Sequence, residues 1–139
     1  MCGIAGYFGN INFINNNNRL RKILDLMKFR GPDGNGVFQT ELNKKLFLRL
    51  FHSRLSIIDP HVRSNQPFED NEGVISFNGM IYNYREIKKD LLTKGIKFIT
   101  GSDTEVLLKF LNYYGIDKLD KLEGMWSFAY YNFKNRKLI

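Results

Sequence analysis

Met1-Cys2-Gly3-Ile4-Ala5-Gly6-Tyr7-Phe8 opens the chain and contains its only cysteine. Residues 3–8 are apolar and glycine-containing, which predicts a buried strand beginning almost at the amine. The small side chain after Met1 suits methionine removal, and removal would leave the thiol beside a free α-amine. That amine titrates near neutrality, so part of it is an available base at physiological pH. Thiol and amine together make a nucleophile–base pair within one residue. The plain alternative is a small apolar residue packed at a strand start, because free cysteines are among the most buried side chains.

The 139 residues suit a single domain, and 43% hydrophobic with 25% charged residues is ordinary for a globular one. No apolar run is long enough to span a bilayer, and no signal peptide is visible. With one cysteine and no export signal, a reducing cytoplasmic location is expected. The net charge of +7 raises nucleic acid as a partner. The basic residues are scattered, at Arg19, Arg21 and Lys22, at Lys44, Lys45 and Arg49, at Lys88 and Lys89, and at Lys134, Arg136 and Lys137. No nucleic-acid module accompanies them, so neither nucleic acid nor membrane is expected as a partner.

Outward from the opening strand, Asn15 to Asn18 reads as a loop that caps a helix over 19–29, with Leu20, Ile23, Leu24 and Met27 on one face. Short strands are expected near 36–40 and 45–50. Another spans 73–77 and breaks at Asn78-Gly79, a dipeptide suited to positive φ. Asn83 is expected to cap a helix over 84–94, and Ser102 or Asp103 one over 103–114. Met125 to Tyr131 is a strand-forming run, and Lys137 to Ile139 begins another. Strands and helices mix without regular alternation, which favours a layered α+β architecture.

Four features depart from core patterning. Cys2 is the first. The second is the loop Arg30-Gly31-Pro32-Asp33-Gly34-Asn35-Gly36, weak evidence alone and without the lysine of a phosphate-binding loop. The third is His52-Ser53-Arg54-Leu55-Ser56-Ile57-Ile58-Asp59, where Arg54 enters an apolar stretch. A buried arginine calls for an anion, either structural, such as Asp59, or the carboxylate of a ligand. His52 reads as a packed or surface imidazole. The fourth is Asn78-Gly79, either a hairpin turn or two adjacent donors converging on a developing oxyanion. Asp103 is either a helix cap or a carboxylate for a ligand ammonium. Taken as a set, these groups suit an α-amino acid with a side-chain amide, and glutamine has both.

Cys2-Gly3-Ile4-Ala5-Gly6, Arg30-Gly31-Pro32-Asp33-Gly34, Arg54 to Asp59, Gln66-Pro67, Asn78-Gly79 with Ile81-Tyr82-Asn83, Ser102 to Glu105 and Leu122 to Met125 stand in order along essentially the whole chain. This set resembles the glutaminase domain of glutamine-hydrolysing asparagine synthetase, a class II glutamine amidotransferase. The resemblance implies an N-terminal-nucleophile hydrolase fold, two antiparallel sheets sandwiched between helices. It implies Cys2 as nucleophile, Asn78 and Gly79 at the oxyanion, and Arg54 on the glutamine α-carboxylate. The backbone of Leu55, Ser56, Ile57 and Ile58 would line the site, and Asp103 would take the α-amino group. No metal or cofactor is expected for the glutaminase half-reaction, whereas ATP and Mg belong to a synthetase domain.

Two departures from the family pattern follow. Met80 stands where the family commonly has a glutamate, so only its backbone is expected to line the pocket. The sequence given also stops at Ile139, before the family's remaining glutaminase strands and its ATP-binding domain. On that reading residues 1–139 are a partial amidotransferase domain, a fragment or split gene product that cannot make asparagine alone. The expected partners are L-glutamine and either a separate synthetase chain or a second copy. A free-standing glutaminase and a catalytically silent interaction subunit remain as alternatives.

Overall fold

A computed structural model describes residues 1–10 and 17–139. The first sheet holds β1 (Gly3–Asn10), β2 (Gly34–Asn43) and β3 (Leu46–Arg54) in the order β1-β3-β2, all antiparallel. The second holds β4 (Phe68–Glu69), β5 (Gly73–Ile81), β6 (Gly124–Asn132) and β7 (Lys137–Leu138), also antiparallel and in sequence order. Helix α1 (Asn17–Met27) packs on β1 and β3, whereas α2 (Tyr84–Thr93) and α3 (Asp103–Tyr114) pack on each other and α3 on β5. Strands β1 and β3 contact β5 across the interface between the sheets. The layers are therefore helix, sheet, sheet, helices, which is the expected αββα sandwich.

Alternation along the strands explains where the core lies and where the site begins. Leu48 and Leu50 of β3 face Val74 and Tyr131 of the second sheet, forming an apolar seam between the sheets. Two residues further along the same face, His52 is fully buried, with Nε2 at 3.1 Å from the Phe77 carbonyl oxygen. Ser76 on β5 donates back to the Phe51 carbonyl at 3.0 Å. The next residues in these two rows are Arg54 and Asn78, so the seam turns from apolar to polar as it reaches the site. Burial holds the His52 pKa down at about 4, so the ring is neutral at pH 7 and belongs to the packing. On the opposite face of β5, Ile75, Phe77 and Ile81 join Leu91, Val106, Leu107 and Phe110 in a second, larger core.

Several elements differ from the sequence expectation. Strand β1 is an edge strand and largely half-exposed, not buried, because only β3 lies beside it. Strands β2 and β3 run longer than expected, through residues whose local preference is for a loop. β3 is the central strand, and pairing on both sides holds it extended through Ser53 and Arg54. Strand β5 does not break at Asn78-Gly79 but continues to Ile81. Asn83 stands at the start of α2 without capping it, since its side chain instead donates to the Lys121 carbonyl and accepts from Glu123 N–H. Ser102 does cap α3, accepting from Glu105 N–H at 3.3 Å. Helix α1 begins at Asn17, and the part of the expected capping tract at Asn15 and Asn16 lies outside the described residues.

Candidate active site

A cavity of about 290 Å³ opens at the polar end of the inter-sheet seam. Cys2, Arg54, Leu55, Ile57, Ile58, Asn78, Gly79, Met80 and Asp103 all line it. Ser56 is the exception among the residues expected there. Its backbone N–H turns away to donate to the Asp33 carboxylate at 2.7 Å.

Cys2 sits just before β1, with Sγ accepting from the Leu55 N–H at 3.3 Å. The thiol in turn lies 3.7 Å from the Leu55 carbonyl oxygen, to which it can donate. Met1 lies at the cavity mouth and is largely exposed. The Arg30-Gly31-Pro32-Asp33-Gly34 loop, weak evidence in the sequence, holds this end of the site. Arg30 Nε donates to the Cys2 carbonyl at 3.0 Å, and Asp33 N–H donates to the Arg54 carbonyl at 3.0 Å. Gly31 is packed so tightly that a Cβ there would lie 2.2 Å from the Ser53 carbonyl carbon, so no larger residue fits.

Arg54 is only 6% exposed, yet no carboxylate pairs with it among the described residues. Its guanidinium donates to the carbonyls of Asp59 at 2.5 Å and His61 at 3.0 Å, and to Asn65 Oδ1 at 2.7 Å. The Asp59 carboxylate, the structural anion left open by the sequence, is directed elsewhere and accepts from Gly101 N–H at 2.6 Å. A buried cation held only by neutral oxygens lacks charge compensation. Asp103, the first residue of α3, is its counterpart. It is 6% exposed, accepts from Ile81 N–H at 3.2 Å and has no cationic partner among the described residues. Burial pushes its pKa up, against the opposing pull of backbone N–H groups at Ile81, Asp103 and Thr104.

Asn78 projects from the inner face of β5, and its Oδ1 is buried without a hydrogen-bond partner. Gly79 has φ +155°, and a Cβ on it would lie 2.3 Å from the Met125 carbonyl oxygen of β6. Strain and overlap together make glycine obligatory at this corner. Gly79→Ala is expected to cost about 2 kcal/mol or more of stability in thermal unfolding. Gly95→Ala, at φ +81° with open space around it, is expected to cost only about 1 kcal/mol. Equal losses would show that the β5–β6 approach does not constrain the corner.

Gln66, which the sequence marks only as part of the Gln66-Pro67 motif and to which it assigns no role, is also a site residue. Its buried side chain accepts from Phe77 N–H at 2.6 Å and donates to Thr104 Oγ1 at 3.1 Å. It thus ties the residue before Asn78 to the residue after Asp103. Nothing local marks this role, because both partners are far away in the chain. Among the described residues no cluster of His, Cys, Asp and Glu is grouped to hold a metal ion, and no helix is long and apolar enough to cross a membrane.

The structure resembles that of the glutamine phosphoribosylpyrophosphate amidotransferase from B. subtilis complexed with ADP and GMP. The TM-score is 0.66 at 19% identity, over 92% of this chain and 35% of that one. This likeness shows the fold alone, the expected N-terminal-nucleophile hydrolase fold of two antiparallel sheets between helices. The chain belongs to the glutamine amidotransferase domain family, whose model matches residues 1–139. Among curated proteins it is similar to glutamine-hydrolysing asparagine synthetase 1 of Arabidopsis thaliana, 38% identical over 93% of this chain and 21% of that protein. Asparagine synthetase 1 of Bacillus subtilis is 36% identical over 95% of this chain and 21% of its own length. The amidase chry2 of Gibberella zeae is 34% identical over 86% and 18% respectively. The chain thus spans about a fifth of the length of these relatives.

Proposed function

We propose that the chain hydrolyses the side-chain amide of L-glutamine to glutamate and ammonia, with Cys2 as nucleophile once Met1 has been removed. One observation carries this reading. A single cavity holds a sulfur, a buried cation and a buried carboxylate, and neither charge has a partner of opposite sign among the described residues. An α-amino acid compensates both at once, its carboxylate on Arg54 and its ammonium on Asp103. Its side chain then points back toward Cys2 and the Asn78-Gly79 corner.

In the reaction, the Cys2 amine accepts the thiol proton and the sulfur attacks the amide carbon. Negative charge moves onto the carbonyl oxygen, where the Asn78 amide and the Gly79 N–H serve as donors. The protonated amine passes its proton to the leaving nitrogen, ammonia departs, and a glutamyl thioester remains. Water activated by the same amine attacks the thioester, releasing glutamate and regenerating the thiol. Leu55, Ile57, Ile58 and Met80 form walls, and no cofactor takes part. The names of its relatives, glutamine-hydrolysing asparagine synthetases, support asparagine synthesis as the use of the ammonia. The family resemblance implies aspartate as acceptor on an ATP- and Mg-dependent unit in the same or a separate chain.

The direct test is glutamate release from L-glutamine by protein of verified N-terminus. Turnover with Met1 absent supports the reading, and a properly processed protein without turnover contradicts it. The pH dependence gives a second test. The ammonium needs an ionised Asp103, whose pKa burial raises, so the KM for glutamine is expected to climb as pH falls toward that raised value. Asp103→Asn is expected to raise KM at least about tenfold and to flatten that acid limb, in a comparison of KM across pH. Without ligand the sign is opposite. The folded state holds the Asp103 proton more tightly than the unfolded chain, so its contribution to stability falls as pH rises between the two pKa values.

A further inference from the structure

Asp59 connects the two charged ends of the cavity without lining it. Its main-chain carbonyl accepts from Arg54 Nη2 at 2.5 Å, and its carboxylate accepts from Gly101 N–H at 2.6 Å, 42 residues away in sequence. Gly101 stands just before Ser102, the cap of α3, and Asp103, its first residue. One residue therefore touches both the buried cation at the end of β3 and the turn that leads into the helix carrying the buried carboxylate. The Asp59 side chain is 8% exposed, and its backbone has φ +46°, a left-handed conformation that Asp and Asn tolerate better than other non-glycine residues. Chiefly through the Gly101 N–H, its pKa is held down at about 2, so it is a permanently charged acceptor across the neutral range. Arg63 also reaches Asp59 Oδ2, at 3.3 Å, but from a half-exposed position where such pairs contribute little.

We infer that Asp59 is a positioning residue that sets the spacing between Arg54 and Asp103, and with it the amino-acid head group that the cavity accepts. It contacts neither nucleophile nor substrate. Without its carboxylate the 99–102 turn loses its anchor to the segment that follows Arg54, and a ligand that must satisfy both charges at once is penalised. A ligand that uses only Arg54 is not.

This inference rests on the glutaminase reading and is tested by kinetics of the whole chain with two amides. One is L-glutamine, and the other is its analogue lacking the α-amino group. Asp59→Gly keeps the backbone relaxed but removes the carboxylate. It is expected to raise the glutamine KM about tenfold, with kcat changed less than about twofold and the KM of the des-amino amide unmoved. Asp59→Asn keeps an acceptor and tolerates the left-handed backbone, and its glutamine KM is expected to rise only about threefold. An unmoved glutamine KM, or an equal rise for both amides, would overturn the inference while leaving the glutaminase reading intact. Absence of turnover in the processed wild-type chain would overturn both. Should Asp59→Gly yield no folded protein, the Asn variant decides, since a selective rise in KM supports the role and an unchanged KM removes it.

Discussion

Cys2→Ala is expected to bring glutamate release down to the uncatalysed background while leaving glutamine binding in place. The substitution removes one sulfur and touches neither Arg54 nor Asp103, which hold the head group. It deletes only the contacts of the sulfur with the Leu55 main chain, the N–H at 3.3 Å and the carbonyl oxygen at 3.7 Å. The fold should therefore survive, and the loss of rate should exceed about a thousandfold, because the proposed route runs through a covalent bond to this sulfur. Steady-state release of glutamate, paired with calorimetric titration of glutamine, separates the two quantities. Undiminished turnover would remove the thiol mechanism. Loss of binding together with turnover would show that the sulfur's place is structural.

Arg54 carries the second large effect, and it falls on a different parameter. If the guanidinium binds the α-carboxylate in the ground state as well as in the transition state, its removal weakens both equally. Arg54→Met should then raise the glutamine KM by about a hundredfold or more, with kcat at saturation changed far less. The same side chain also satisfies the carbonyls of Asp59 and His61 and the Asn65 amide, so the variant also leaves buried acceptors without donors. Arg54→Lys separates the two roles. A lysine restores a positive charge and some of the donors but lacks the planar fork, so stability should largely recover while KM stays raised. A fall in kcat equal to the rise in KM would mean that Arg54 acts on the chemical step instead.

The parts of the site that were legible in the sequence are those whose chemistry is local. A thiol beside a terminal amine, an arginine in an apolar run and an Asn-Gly pair each announce themselves within a few residues. Alternation along β3 and β5 then explains why they converge, since Arg54 and Asn78 continue inward-facing rows that begin with Leu48 and Val74. What stayed hidden depends on register and on distant partners. The expected break of β5 at Asn78-Gly79 does not occur. Positive φ at Gly79 is met within the strand, opposite Trp126, with another positive-φ glycine at Gly124 facing Ile81. No local pattern shows that each glycine is pressed against the main chain of the other strand, Gly79 at Met125 and Gly124 at Met80. Gln66 and Asp59 are both visible in the sequence, as a motif and as a candidate anion for Arg54, but their actual roles are not, because their partners Thr104 and Gly101 lie 38 and 42 residues downstream. Ser56 was misplaced because the resemblance marks the segment 55–58 as a unit, whereas its N–H is directed to Asp33.

The claim on which everything else depends is that Cys2 faces a cavity shaped to accept glutamine. The most direct measurement is covalent labelling of the processed protein with a thiol-reactive glutamine analogue, followed by peptide mapping with and without competing L-glutamine. One adduct is expected, on an N-terminal Cys2 that has lost Met1, with labelling suppressed by glutamine and abolished by Arg54→Met. An unlabelled Cys2, or labelling that glutamine does not suppress, would contradict the account.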